Sequence, residues 1–285
     1  MVLQIITNGI LQGGIYALVS LGLTIIFGVM KIINFAHGAF LMISMYCTFW
    51  LFNLYGMDPY LSIIIVIPVM FIVGMVTYRI IIQPILDAPE ESHVFATLGL
   101  NIALQGLAVF LWKADFRTVP AASYMPQSIG FGNWYVPTAR LVGFGFTLVA
   151  MAALIFFLKK TFTGKAIRAS AQNRIAAQLM GVNLKKIYMI SFGIGLGIVG
   201  LAGAICVPIY AVSPSIGSLF VLLTFVVVIL GGLGSISGAL VGGFIVGIVE
   251  STSGFFLSPA LKEGVYFVIF VIILLIKPTG IFGKS

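Results

Sequence analysis

Ionisable side chains are scarce inside the apolar stretches of this 285-residue chain, so each one found there is a candidate for chemistry. Glu250 closes an apolar arm, Lys262 and Glu263 open the last one, and His37 sits where the first long run breaks. Such groups within a span ordinarily serve an ion or proton path. Here Glu250, Lys262 and Glu263 are expected near the outer surface, where solvation accounts for them. His37 is expected near the inner face, in a structural hydrogen bond. Gly195-Leu196-Gly197-Ile198-Val199-Gly200 has G-x-G-x-x-G spacing, but it lies inside an apolar span and no ribose-binding acid context follows. Neither G-x-x-x-x-G-K-[ST] nor H-E-x-x-H occurs, so the sequence offers no means to hydrolyse ATP and no zinc motif. Cys47 and Cys206 fall inside apolar stretches and imply neither a disulfide framework nor a metal site. No catalytic residue, metal ligand or cofactor is expected in this chain. Uncharged polar groups remain: Asn8, Gln12, Thr24, Asn101 and Gln105 either bond between helices or line a path.

The elements that position these residues follow from composition. Hydrophobic residues make up 61% and charged residues 8%, with a mean hydropathy of +1.19. Soluble domains carry about a quarter charged residues, so this chain must be solvated mainly by lipid. A span needs roughly 20 mostly apolar residues, and such stretches lie at about 5–30, 38–55, 60–79, 94–112, 141–158, 187–210, 218–250 and 263–276. Continuous apolar runs exclude a barrel, whose strands alternate. The fold expected is an all-α, polytopic helical bundle of about 8–9 spans with broken or re-entrant segments, forming one membrane domain over residues 1–285. The net charge of +8 reflects basic loops rather than nucleic-acid binding. Lys31, the first basic residue, follows the first apolar run instead of preceding it, so no cleaved signal peptide is expected.

Basic residues concentrate on the cytoplasmic side of membrane proteins. Segment 159–186 holds Lys159, Lys160, Lys165, Arg168, Arg174, Lys185 and Lys186. Placing it in the cytoplasm puts the N-terminus outside and adds Lys31, Arg79, Lys277 and Lys284 to the inner side. Only Lys113, Arg117, Arg140 and Lys262 then stay outside. That arrangement requires the chain to reverse within 218–250, and Gly231-Gly232-Leu233-Gly234-Ser235 is the turn-like sequence there. Each arm is expected to be short, about 12 to 16 residues, as buried helices or a re-entrant hairpin. A second break spans Asn34-Phe35-Ala36-His37-Gly38. The two breaks resemble each other faintly, as in transporters built from repeats of broken helices. Glycines four apart (Gly9/Gly13, Gly193/Gly197, Gly234/Gly238/Gly242, Gly243/Gly247) predict close helix packing.

Segment 159–186 is too long for a plain turn. Residues 165–180 are good helix formers, and Ile167, Ala171, Ile175 and Leu179 recur every four, which predicts one apolar stripe on a polar helix stopped by Gly181 and Asn183. Such a helix either rests on lipid headgroups or docks in a groove on a cytoplasmic partner.

Ala176-Ala177-x-x-x-Gly181 resembles the coupling loop of ABC importer permeases, with Ile175 where Glu is usual. Asn34-Phe35-Ala36-His37-Gly38, Gly231-Gly232-Leu233-Gly234-Ser235 with Gly238-Ala239, and Lys277-Pro278-Thr279-Gly280-Ile281-Phe282-Gly283 resemble further motifs of that group. Taken in order along the chain, they are similar to the LivH-type permeases of branched-chain amino-acid importers. The resemblance implies a bacterial cytoplasmic-membrane permease carrying branched-chain or similar apolar amino acids. It implies a second, related permease, two ATPase subunits that use ATP and Mg, and a periplasmic or extracellular substrate-binding protein. It points to Arg174, Ile175, Ala176, Ala177 and Gly181 as the ATPase-coupling residues. Asn34, Phe35, Ala36, His37, Gly38, Gly231, Gly232, Gly234 and Ser235 become candidates for the translocation path, with Asn8, Gln12, Asn101, Gln105 and Glu250 as further path or packing residues. Urea, short amides and other small amino acids remain alternative cargoes. A secondary transporter or channel would need an ion-coupling site or polar pore that these charge-poor spans lack. An intramembrane enzyme would need paired acids or a nucleophile with its base, and neither is found.

Overall fold

In lipid a backbone polar group must find its partner within the segment, so apolar runs of this length fold as helices. A computed structural model describes residues 2–120, 126–131, 134–257, 261–277 and 279–283; Pro278, Lys284 and the side chain of Glu263 lie outside the described residues. The helices are α1 (Val2–Met30), α2 (His37–Tyr55), α3 (Pro59–Thr77), which runs through a π-helical turn (Tyr78–Ile82) into α4 (Gln83–Ile85), and α5 (Glu90–Trp112). An antiparallel hairpin of β1 (Ser128–Phe131) and β2 (Trp134–Pro137), with Ile129 opposite Val136, precedes α6 (Thr138–Lys160). There follow α7 (Phe162–Gln172), α8 (Arg174–Leu179), α9 (Leu184–Cys206), α10 (Ile216–Gly231), α11 (Ile236–Phe256) and α12 (Lys262–Ile276). Among the described residues, 7 helices are long and apolar enough to cross a membrane, and α10 and α12 are shorter apolar helices. The chain is an all-α, multi-pass membrane protein.

The most buried long helix is α1, packed between α11, α9, α6 and α10. Its seam with α11 is antiparallel: Gly9 meets Ile248, Gly13 meets Gly243, and Gly28 meets Gly234. A Cβ at Gly13 would sit 2.5 Å from the Gly243 carbonyl oxygen, so only glycine permits this approach. The other expected glycine repeats also pack within the chain, with Gly238 and Gly242 against α10 and Gly193 against Phe71 and Met75 of α3.

The chain does reverse between α10 and α11. Gly232 (φ +104°) and Gly234 (φ +81°) supply left-handed backbone that L-residues rarely adopt. One arm, α10, has 16 residues, within the expected 12 to 16; the other, α11, exceeds it at 21, running past Glu250 to Phe256. The C-terminal tail packs on this turn, with the Ile281 and Phe282 amides donating to the carbonyls of Leu230 (2.9 Å) and Gly231 (3.0 Å). Gly28, Arg168 and Gly234 line one cavity, so α7 shares this end, here termed the near face. At the opposite, far face, Ser251 Oγ donates to the Ile5 carbonyl at 2.8 Å. The two ends of the chain therefore lie at opposite ends of the bundle.

Candidate functional site

The first break is deeper than its sequence position suggests. α1 ends at Met30, and non-helical residues 31–36 carry the chain back along the bundle. His37 Nε2 then lies 2.9 Å from the Val19 carbonyl. Val19 is eleven residues before Met30, roughly 16 Å along the axis at 1.5 Å per residue. His37 is fully buried, so the structural hydrogen bond expected of it is present, but the expected location near the inner face is corrected to the middle of the bundle. Asn34 shapes the turn: its Oδ1 accepts from the Ala36 amide (3.1 Å) and its carbonyl from the His37 amide (3.2 Å).

The N-terminus of α10 meets α2 at this depth. A Cβ at Gly217 would lie 2.6 Å from the Gly38 carbonyl oxygen, and the rings of Phe35 and Phe225 are 4.9 Å apart. Two helix N-termini, each with partial positive character, thus begin close together inside the bundle. Around them Asn34 Nδ2, His37 Nδ1 and Thr224 Oγ1 are buried without a hydrogen-bond partner among the described residues. Thr97 Oγ1 donates to the His93 carbonyl of its own helix (2.8 Å) with the Ile33 carbonyl 3.3 Å away, and Gln105 Nε2 donates to Ser218 Oγ (2.8 Å) on an exposed face between α5 and α10. Asn101 lies one helical turn from Gln105 on α5. The region is polar and uncharged, which suits passage of a neutral or zwitterionic solute without trapping it.

The second break does not join the first. Gly231 and Gly232 are buried under the C-terminal tail, while Gly234 and Ser235 are half-buried at the near face beside Gly28. The faint likeness of the two sequences therefore covers two structures, a chain segment returning into the bundle and a tight helical hairpin.

Segment 159–186 corrects another expectation. The single helix over 165–180 is two helices, broken at Asn173 (φ −152°, ψ 107°). Asn173 Oδ1 accepts from the Ala176 amide at 2.9 Å and caps α8, a role for which asparagine is well suited. Thr161 and Asn183 cap α7 and α9 in the same way. The break divides the apolar stripe. Ile167 is 2% exposed against the bundle, whereas Ile175, Leu179 and Met180 are 70%, 84% and 85% exposed. Ala177 is buried beneath α8 and Ala176 is exposed. Gly181 (φ +82°) ends the unit with open space where a side chain would stand. Arg174 donates to Asp87 Oδ1 at 2.6 Å, which raises the guanidinium pKa above its ordinary value. Both side chains are largely exposed, so this pair adds little stability.

Asn8, Gln12 and Glu250, apart in sequence, line one far-face cavity with Arg140, Tyr210 and Lys262. Glu250 is not simply solvated, as expected from sequence: its side chain is 12% exposed, it accepts from the Tyr16 hydroxyl, and it lies 2.8 Å from Lys262 Nζ. Gln12 donates to the Tyr210 hydroxyl. The roles of Tyr16 and Tyr210 were missed. The only sequence signal was the spacing of Asn8, Gln12 and Tyr16, which share one stripe of α1.

Interrupted helices meeting inside an apolar bundle are the architecture of a multi-pass membrane transporter. Residues 5–274 match the family described as branched-chain amino acid transport system / permease component, and the chain belongs to that family. It is 30% identical to the high-affinity branched-chain amino acid transport system permease protein LivH of Escherichia coli (strain K12), over 99% of this chain and 96% of the relative. It is 28% identical to BraD, the corresponding permease protein of Pseudomonas aeruginosa, over 99% and 96%. It is 30% identical to the probable LivH of Methanocaldococcus jannaschii, over 98% and 92%. Among solved structures, PsaBC from Streptococcus pneumoniae in complex with Fab superposes with a TM-score of 0.51 at 13% identity, over 97% of this chain and 93% of that one, a likeness of fold alone.

Proposed function

We propose that this chain is the membrane-spanning permease subunit of an ATP-driven importer that moves branched-chain or similar apolar amino acids inward across a bacterial cytoplasmic membrane. The observation that carries the coupling role is α8, a short capped helix that turns Ile175, Leu179 and Met180 outward at the near face. Apolar side chains this exposed, on a loop rich in Lys and Arg, suit a groove on a soluble partner. The branched-chain amino acid transport for which the relatives are named supports the cargo.

On this reading residues 1–285 form one permease domain, the near face is cytoplasmic and the N-terminus is outside. The chain is not itself an enzyme: two partner ATPase subunits bind ATP and Mg and dock on Arg174, Ile175, Ala176 and Gly181, with Ala177 supporting α8 from beneath. A second, homologous permease covers the open α5–α10 face, and a substrate-binding protein delivers cargo to the far face. Asn34, Phe35, Ala36, His37 and Gly38 lie along the path at mid-depth, and Gly231, Gly232, Gly234 and Ser235 shape its cytoplasmic end.

Co-purification tests the docking. Ile175→Glu with Leu179→Lys should leave the permease inserted and folded but remove the ATPase subunits from the purified complex. Retention of both ATPases with unchanged coupled transport would rule the docking surface out.

A further inference from the structure

The far-face cavity is separate from the α2–α10 junction and has its own chemistry. It is an open cavity of about 220 Å³, lined by Asn8, Gln12, Arg140, Tyr210, Glu250 and Lys262, among others. Gln12 is 8% exposed, and its Oε1 has no donor among the described residues, although its Nε2 is used on Tyr210. Glu250 is held by Tyr16 and Lys262. Arg140 is half-buried and forms no salt bridge among the described residues. Among the described residues, a buried acceptor without a donor and a carboxylate paired with Lys262 thus share a cavity with a guanidinium that forms no salt bridge.

We propose that this cavity binds the zwitterionic backbone of a free α-amino acid, its ammonium on Gln12 Oε1 and Glu250 and its carboxylate on Arg140. A plain carboxylate would leave the buried Gln12 acceptor unpaired, which is unfavourable. A plain amine could reach Glu250 but would leave the Arg140 guanidinium in the same cavity without a counter-charge. Guanidinium matches a carboxylate in a two-pronged geometry. A cavity of about 220 Å³ has room for a small amino acid. The ligand class follows from these groups; that the bound amino acid is also the cargo rests on the function proposed above.

The test uses the full chain in lipid nanodiscs, with labelled leucine binding read directly and 3-methylbutylamine and 4-methylpentanoate as competitors. Leucine should bind, with each analogue at least about tenfold weaker, as expected when a charge-assisted contact is lost. Arg140→Gln should weaken leucine about tenfold without weakening the amine. Gln12→Leu, checked for folding by size exclusion, should weaken both leucine and the amine. Absence of leucine binding to the folded chain, equal binding of either analogue, or indifference to Arg140→Gln would each overturn the proposal. Equal binding of 4-methylpentanoate would instead mark a simple carboxylate site, such as one for an acidic side chain of a docking protein. Leucine binding without ATP-driven leucine uptake by the complex would contradict the proposed function and leave this site standing; uptake without binding would do the reverse.

Discussion

His37 Nε2 lies 2.9 Å from the carbonyl oxygen of Val19, and this contact fixes the start of α2 halfway along α1. The ring therefore carries its proton on Nε2 and donates. Replacing it by Leu removes the donor and misfits a fully buried site, at a cost of about 2–4 kcal/mol. His37→Leu should lower the melting temperature of the detergent-solubilised protein, read by fluorescence-detected size exclusion. His37→Gln, which keeps a donor, should recover part of the loss. Equal loss in both variants would show that shape rather than the hydrogen bond holds α2.

The α1–α11 seam depends on backbone approach rather than side-chain packing. Gly13→Val would force the helices apart, since even a Cβ at Gly13 falls 2.5 Å from the Gly243 oxygen. The expected result is little or no folded protein. Gly106→Ala on α5, where nothing lies within 4 Å, should be neutral or raise stability by up to about 1 kcal/mol. Similar folded yields for Gly13→Val and wild type would contradict the packing described.

Asn173 both ends α7 and caps α8. Asn173→Ala should cost about 1 kcal/mol locally and fray α8. Uptake by the assembled importer should slow, and Asn173→Asp, which keeps the cap, should restore it. If Asn173→Ala transports at the wild-type rate, the orientation of α8 does not matter for coupling.

Glu250 and Lys262 form the ion pair that ties α11 to the start of α12. Glu250→Gln should destabilise the protein by about 1–3 kcal/mol, because the Tyr16 hydroxyl also loses a charged acceptor. A double-mutant cycle with Lys262→Met should return a coupling energy of about 0.5 kcal/mol or more, whereas additive effects would mean the pair is incidental.

Much of this was legible in the sequence because lipid imposes simple rules. Apolar length located the spans, and loop charge parity required the reversal that Gly232 and Gly234 make. Tertiary contacts were not legible. The depth of His37 depends on residues 31–36 re-entering the bundle, which no periodicity encodes. The break at Asn173 was hidden because a capping asparagine and a helix-interior one look alike in a run of good helix formers. The burial of Glu250 has no local signal, because its donors, Tyr16 and Lys262, lie on other helices. The glycine repeats were readable as packing sites, but their partners came only from the fold.

Uptake into proteoliposomes reads ATP-driven inward transport itself. The vesicles contain this chain with the partner permease, ATPase subunits and binding protein proposed above, oriented so that the binding protein meets the far face. Leucine should accumulate when ATP is supplied on the near-face side. It should stop when ATP is withheld or when Ile175→Glu and Leu179→Lys are introduced, and collapse of the ion gradient should not affect it. Accumulation that follows the ion gradient and ignores ATP, or transport of urea with no transport of leucine, would exclude ATP-driven amino-acid import by this chain.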